Sequence, residues 1–268
     1  MPPLDLKVPV LWFNRLFKHG IDRVRELKKK GFKVVMDLDD HFCLDPDHYL
    51  YEAWNRTRTT ERLVEMLQQA DVVLTTNDVL ADQIRKVVRV EVVIAPNALP
   101  FDTGQFTLSS DRESSTRFVY IAGPSHIHDV KLLDLQDDLT TAGITKVGVP
   151  YKDPLPSLRY MDLYDGHRAA LAPLLENSFN VCKSNLKLLE AGAKGLPLFA
   201  SRVHPYFNWK DSTVIRYLST SESWSERLKK YSDSHLADIG RATAEHVRKH
   251  YQLRDSNAIR KQVFESFA

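Results

Sequence analysis

Residues 179–201 read FNVCKSNLKLLEAGAKGLPLFAS, and the fold turns on how this stretch is read. A polar entry, Lys183 and Ser184, opens an apolar run with one internal carboxylate, Glu190. Gly195 and a strand beginning at Pro197 close it. The pattern predicts a helix from Ser184 to Lys194, capped by the Ser184 hydroxyl and stopped at Gly195. A helix start placed behind a strand offers free N–H groups to an anion, and Lys183 adds a positive charge beside them. Lys187, one turn on, either reaches the same anion or projects to solvent. Glu190 would repel a diphosphate, but it would accept hydrogen bonds from sugar hydroxyls such as those of a nucleotide ribose. The plainer alternative is an ordinary amphipathic helix that binds nothing.

Outward from this segment, short β-branched runs alternate with amphipathic helices, the mark of a parallel sheet covered on both faces. Strands are expected at 8–13, 32–38, 71–76 and 90–98, with helices over 20–30 and 59–69 and another opening at Asn77 or Asp78. Residues 99–116 are polar and turn-rich and read as a linker. A second series follows: strands at 117–123, 144–149, 171–174 and 197–201, a helix near 129–139, and helical structure over 222–268. The expected fold is α/β with two Rossmann-like domains facing a central cleft, residues 1–105 and 106–268, and C-terminal helices.

Composition sets bounds on function. With 268 residues, 43% of them hydrophobic, the chain can build two packed cores. No apolar run approaches the roughly 18 residues a membrane span needs, and no signal-peptide pattern is present, so a cytoplasmic location is expected. Two cysteines, Cys43 and Cys182, exclude a disulfide framework and show no zinc-type spacing. The net charge is only +2, although basic clusters such as RVRELKKKGFK leave room for an anionic partner.

Three further stretches carry candidate chemistry. In YIAGPSHIHD, Gly123 ends a strand where a ligand could approach the backbone, and Ser125 and His126 offer polar contacts. Neither a dinucleotide fingerprint nor a P-loop is present. In MDLDDHF, Asp39 and Asp40 sit at the carboxyl end of a strand, suited to act as base, hydroxyl anchor or magnesium ligand; a capping role is the plainer option. His41 and the aromatic residues after it suit stacking on a flat or sugar-like ligand. In FNRLFKHG, Asn14, Arg15 and His19 line the edge of the first strand-to-helix loop, with Arg15 a candidate phosphate or carboxylate clamp.

Taken together, three segments resemble the GT-B glycosyltransferases, in particular their large GT4-like group: ADVVLTTNDVLADQIRK with VVIAPNALPFD, FVYIAGPSHIHDVKLL, and LAPLLENSFNVCKSNLKLLEAGAKGLPLFAS. The resemblance spans roughly residues 30–205. It implies a nucleotide-sugar donor, UDP-linked by expectation, and transfer with retention of configuration. By that resemblance Glu190 binds the ribose, while Lys183, Ser184 and Asn185 surround the diphosphate, with Asn180 and Lys187 counted among the donor-binding residues. The common motif has a second glutamate eight positions before Glu190; here that position is Cys182, and the chain follows an FN-x-x-KS-x-LK-x-x-E variant instead. The divalent-metal requirement is left open.

Compact enzymes of this kind with a DLDD-type stretch resemble phage-encoded glycosyltransferases. The expected acceptor is therefore 5-hydroxymethylcytosine in DNA, ahead of a surface polysaccharide or other glycan. A nucleotide-binding protein without transferase activity is the third reading.

Overall fold

The computed structural model of the chain describes residues 7–109, 116–133, 139–142, 159–218 and 223–267. They form two compact units. The first comprises residues up to Asn97, Val181–Ser184 and Arg254 onward; the second comprises Ala98–Asn180 and Asn185–Leu253. The chain thus changes unit after Asn97, not after residue 105. The last helix and four residues of the 179–201 segment group with the first unit, where the sequence reading assigned both to the second.

In the first unit, strands β1 (Val10–Asn14), β2 (Lys33–Leu38), β3 (Val72–Thr75) and β4 (Glu91–Ile94) form a parallel sheet in sequential order. Helices α1 (Gly20–Lys29), α2 (Tyr51–Arg56), α3 (Thr59–Gln69) and α4 (Asp78–Val87) lie between them in the chain. The strands are apolar on both sides because both faces are covered. Val34, Met36, Leu38 and Val73 pack with Leu63, Leu67, Leu80 and Ile84 of the helices. On the opposite face Val35, Val72 and Leu74 pack with Val263, Ile259 and Phe264 of the terminal helix α8 (Leu253–Glu265). This alternation follows directly from the period-2 geometry of a strand. Asn77 caps α4 as expected, its side chain accepting from the Leu80 N–H.

In the second unit, β5 (Phe118–Ile121), β6 (Leu139–Ala142), β7 (Ala169–Ala172), β8 (Leu198–Ser201) and β9 (Ile215–Leu218) form a parallel sheet in the order β6-β5-β7-β8-β9. Strand β9 was not anticipated. The helix expected near 129–139 is a single 3-10 turn, Asp129–Leu132, and residues 139–142 are strand. The strand expected at 144–149 lies outside the described residues. Helices α5 (Leu186–Ala193), α6 (Trp224–Leu228) and α7 (Asp233–His250) complete the unit.

Helix α5 starts at Leu186 with Asn185 in the capping position and no side-chain cap. Ser184 is therefore not the cap. Its hydroxyl accepts from the Asn97 side-chain amide at 2.7 Å, a competing partner within the first unit. Gly195 does follow the helix with φ +74, the left-handed turn that glycine tolerates. The small residues of EAGAKG serve close helix packing. A methyl on Gly192 would sit 2.5 Å from a Val247 methyl of α7, and one on Gly240 would sit 2.1 Å from the Gly195 carbonyl oxygen.

Candidate functional site

The order of the second sheet contains a reversal. From β5 the chain adds β6 on one side and then crosses to place β7 on the other, so the crevice beyond the carboxyl ends of β5 and β7 is a topological switch point. The first sheet, laid down in sequence, has none.

Gly123 follows β5 at this point. It has no positive φ, and a methyl built on it meets nothing within 4 Å, so neither backbone conformation nor packing demands glycine there. In the same loop lies Asp129, only 2% exposed. Its carboxylate bonds to His126 Nδ1 at 2.7 Å and accepts from the Leu175 N–H at 2.8 Å and the Asn180 amide at 3.2 Å. One buried carboxylate thereby laces the loop after β5 to the loop after β7. Ser125 lies in the short 3-10 turn Pro124–His126 and is half-buried. A cavity of about 500 Å3 opens at the loops after β7 and β8, lined by Leu174, Leu175, Ser201, Arg202 and Tyr217 among others. A second cavity of about 520 Å3 lies by Gly166–Arg168 and Lys194–Leu196, the segments that precede β7 and β8, and so belongs to the other edge of the sheet.

Glu190 is 3% exposed. It accepts from the Tyr164 hydroxyl at 2.6 Å and from the Lys187 ammonium at 2.7 Å, both on Oε2. The Tyr160 hydroxyl also interacts with it: burial, followed by the Glu190 charge and hydrogen bond, raises the pKa of Tyr160 and, in the same order, that of Tyr164. Both phenols therefore stay protonated and donate. Lys187 serves this carboxylate directly.

Asn180 and Asn185 are committed to protein partners. Asn180 donates to Asp129 and to the Leu175 carbonyl. Asn185 donates to Asp211 Oδ2 at 2.8 Å. Asp211 has no solvent exposure, and it also receives Asn208, His246 Nε2 and the Tyr251 hydroxyl at 3.0, 2.8 and 2.8 Å.

The remaining candidates gather in the first unit. Arg15, at the end of β1, holds a left-handed backbone with φ 55, uncommon for a residue with a side chain. Its guanidinium bonds to Asp39 at 3.0 Å and to Asp40. Burial pulls its pKa down, but the hydrogen bonds and charges of Asp39 and Asp40 together outweigh that and raise it. Asn14 donates to the Asp37 carbonyl at 3.3 Å and reaches Asp39 at 3.5 Å. Lys183 joins this neighbourhood: the pKa of His48 is lowered first by burial and then by the Lys183 charge, while Asp40, Asp45 and Asp47 oppose the shift. His41 is held in a local turn, its Nδ1 accepting from the Cys43 N–H at 3.1 Å and its ring stacked on Phe42. His19 is exposed and meets only the edge of Phe17 among the aromatic rings.

Cys182 is fully buried in the first core with Phe13, Phe42 and Leu63. Burial first, then the Asp40 charge, pushes its thiol up to about 12. The side chain at this position points into the core, so it supplies nothing to a ligand. No group of three or more His, Cys, Asp or Glu among the described residues is arranged to hold a metal ion.

Sequence reasoning missed Asp211, Tyr160 and Tyr164, and it grouped Asp129 with His126 and His128 only as a polar loop or, less favoured, a metal site, not as the buried carboxylate that joins two loops.

No protein-family model matches the chain, and no curated protein matches it in sequence. Solved structures do match in fold. Sucrose-phosphate synthase from Thermosynechococcus elongatus is 11% identical with a TM-score of 0.62, over 96% of this chain and 73% of that one. A UDP-forming trehalose-phosphate synthase from Burkholderia xenovorans, solved with glucose-6-phosphate, is 10% identical with a TM-score of 0.58 over the same shares, 96% and 73%. A plant glycosyltransferase from Glycyrrhiza uralensis matches at 10% identity and a TM-score of 0.50, over 96% of this chain and 73% of its own. Two parallel α/β units matched along almost the whole chain define the GT-B fold, the architecture of these glycosyltransferases. At such identities the likeness establishes the fold, and no individual enzyme is singled out.

Proposed function

We propose that the chain is a nucleotide-sugar-dependent glycosyltransferase, with a UDP-sugar as the expected donor and retention as the expected outcome. The observation that carries this reading is the switch point of the second sheet. There an unpacked glycine, Gly123, opens a loop that the buried Asp129 ties to the loop after β7, in a unit that also holds a hydrogen-bonded carboxylate, Glu190. A phosphorylated ligand approaches backbone closely at such a place. Glu190 is assigned the ribose hydroxyls, since a carboxylate has about four acceptor positions and the three protein donors leave one.

In the reaction, the bond between the anomeric carbon and the diphosphate oxygen breaks. The acceptor oxygen bonds to that carbon, and its proton passes to the departing phosphate. Lys183 is assigned stabilisation of the charge that develops on the leaving group, as preorganised electrostatics require. Asp39 and Asp40 are assigned the acceptor hydroxyls.

The acceptor reading shifts with the charges around Arg15. Its guanidinium is already shared by two carboxylates, and Asp37, Asp45 and Asp47 lie in the same stretch. Carboxylates accept hydrogen bonds from neutral polyols but repel a phosphodiester backbone, which favours a glycan acceptor. Hydroxymethylcytosine DNA is the second acceptor, supported by the basic segments and the aromatic residues of 41–54. Radiolabel transfer from UDP-, GDP- and dTDP-sugars to oligosaccharides, hydroxymethylated DNA and plain DNA separates the two. Label on glycans alone supports the first, and label on modified DNA alone replaces it with the second.

A further inference from the structure

The four residues Val181–Ser184, which carry Lys183, are bracketed by two asparagines, and each is bonded to its own buried aspartate. Asn180 donates to Asp129, 2% exposed, and Asn185 donates to Asp211, 0% exposed. Among the described residues these aspartates share no hydrogen-bond partner. Asp129 collects His126, Leu175 N–H and Asn180, whereas Asp211 collects Asn185, Asn208, His246 and Tyr251. A buried carboxylate persists only when its lone pairs are filled, so each cluster is a rigid knot drawn from distant parts of the chain. The Asp211 knot ties the α5 entry, the loop after β8, and the end of α7. Asn208 stiffens it further, its Oδ1 accepting the Lys210 and Asp211 N–H groups at 2.9 and 2.8 Å.

We infer that Asp129 and Asp211 are positioning residues for donor binding, acting through Asn180 and Asn185 to fix both ends of the Lys183–Ser184 segment. This rests on the glycosyltransferase reading, and it reassigns the two asparagines from donor contacts to anchors. Asp211 cannot touch a ligand itself. Its effect must travel through Asn185 and the first turn of α5, five residues before Glu190.

The test is a double-mutant cycle on the full chain, reading UDP affinity by calorimetry, KM and kcat for the UDP-sugar, and melting temperature. Asn185→Ala and Asp211→Asn are each expected to raise KM and weaken UDP binding about tenfold, with a smaller change in kcat. The double variant should bind UDP no worse than Asp211→Asn alone, because Asn185→Ala removes a connection that Asp211→Asn has already disturbed. Asn180→Ala, which leaves the Asp211 knot whole, gives an independent arm with the same expected KM effect should Asp211→Asn fail to fold. Additive losses in the cycle, or Asn185→Ala and Asn180→Ala variants that bind UDP like wild type, overturn the inference while leaving the enzyme reading intact. Wild-type protein that binds none of UDP, GDP or dTDP overturns the donor reading, and this inference with it.

Discussion

The Tyr164 hydroxyl donates to Glu190 across 2.6 Å, with the two residues 1% and 3% exposed. A carboxylate so placed is held by its partners, and it holds them in turn. Tyr164→Phe should cost about 1–2 kcal/mol, the usual loss for a buried hydrogen bond. Glu190→Ala should cost more, about 3–5 kcal/mol, because it strands the buried ends of Lys187 and both tyrosines. Urea unfolding checks the order; a Glu190→Ala variant as stable as Tyr164→Phe contradicts it.

Cys182 gives a pH-dependent prediction. Its folded pKa of about 12 exceeds the reference value of 9.0, so the native state keeps a proton that the unfolded chain releases between those values. Stability is unaffected below pH 9 and falls as pH rises toward 12, at roughly 1 kcal/mol per unit. Unfolding at pH 8 and pH 10.5 should therefore show a steeper loss for wild type than for Cys182→Ala. The thiol should also resist alkylation at pH 8 until the protein unfolds, and rapid native labelling at Cys182 would place it outside the core.

Restoring the common motif with Cys182→Glu should not restore any function. The position is fully buried in the first core, so a carboxylate there would be cut off from water. A loss of several kcal/mol in the first unit is expected. A stable, more active variant would show that the residue faces ligand.

Arg15→Ala separates stability from activity. The ion pairs are partly exposed, with 39% and 44% of the side-chain surface open for Arg15 and Asp39, so the stability change should stay below about 1 kcal/mol. Turnover should fall at least tenfold if Asp39 and Asp40 need this cation to hold them for the acceptor. Melting temperature and initial rates, measured on the same preparation, decide the matter.

How much of this was legible in sequence depended on how local each signal was. All strands of the first sheet, and β5, β7 and β8 of the second, read clearly because buried parallel strands are continuous apolar runs, as in VVLT of β3, whereas β6 and β9 did not. Gly195 was legible as a helix stop because its turn is set by neighbouring residues. The Ser184 cap failed because Asn97, 87 positions away, claims the hydroxyl. The grouping of His126 with Asp129 was visible in sequence, but the distant partners of Asp129 and Asp211 lie up to 51 and 40 positions off and no spacing rule connects them. Helix α8 shows an apolar stripe, but a stripe does not say which sheet it will cover.

The central claim is that the chain turns over a nucleotide sugar. Nucleoside diphosphate release from UDP-, GDP- and dTDP-sugars, followed over time with wild type and Glu190→Gln, tests it most directly. The account predicts release by wild type with at least one donor, faster when acceptor is present, and a several-fold higher KM for folded Glu190→Gln. No release from any donor with any acceptor, by protein shown to be folded, would contradict it.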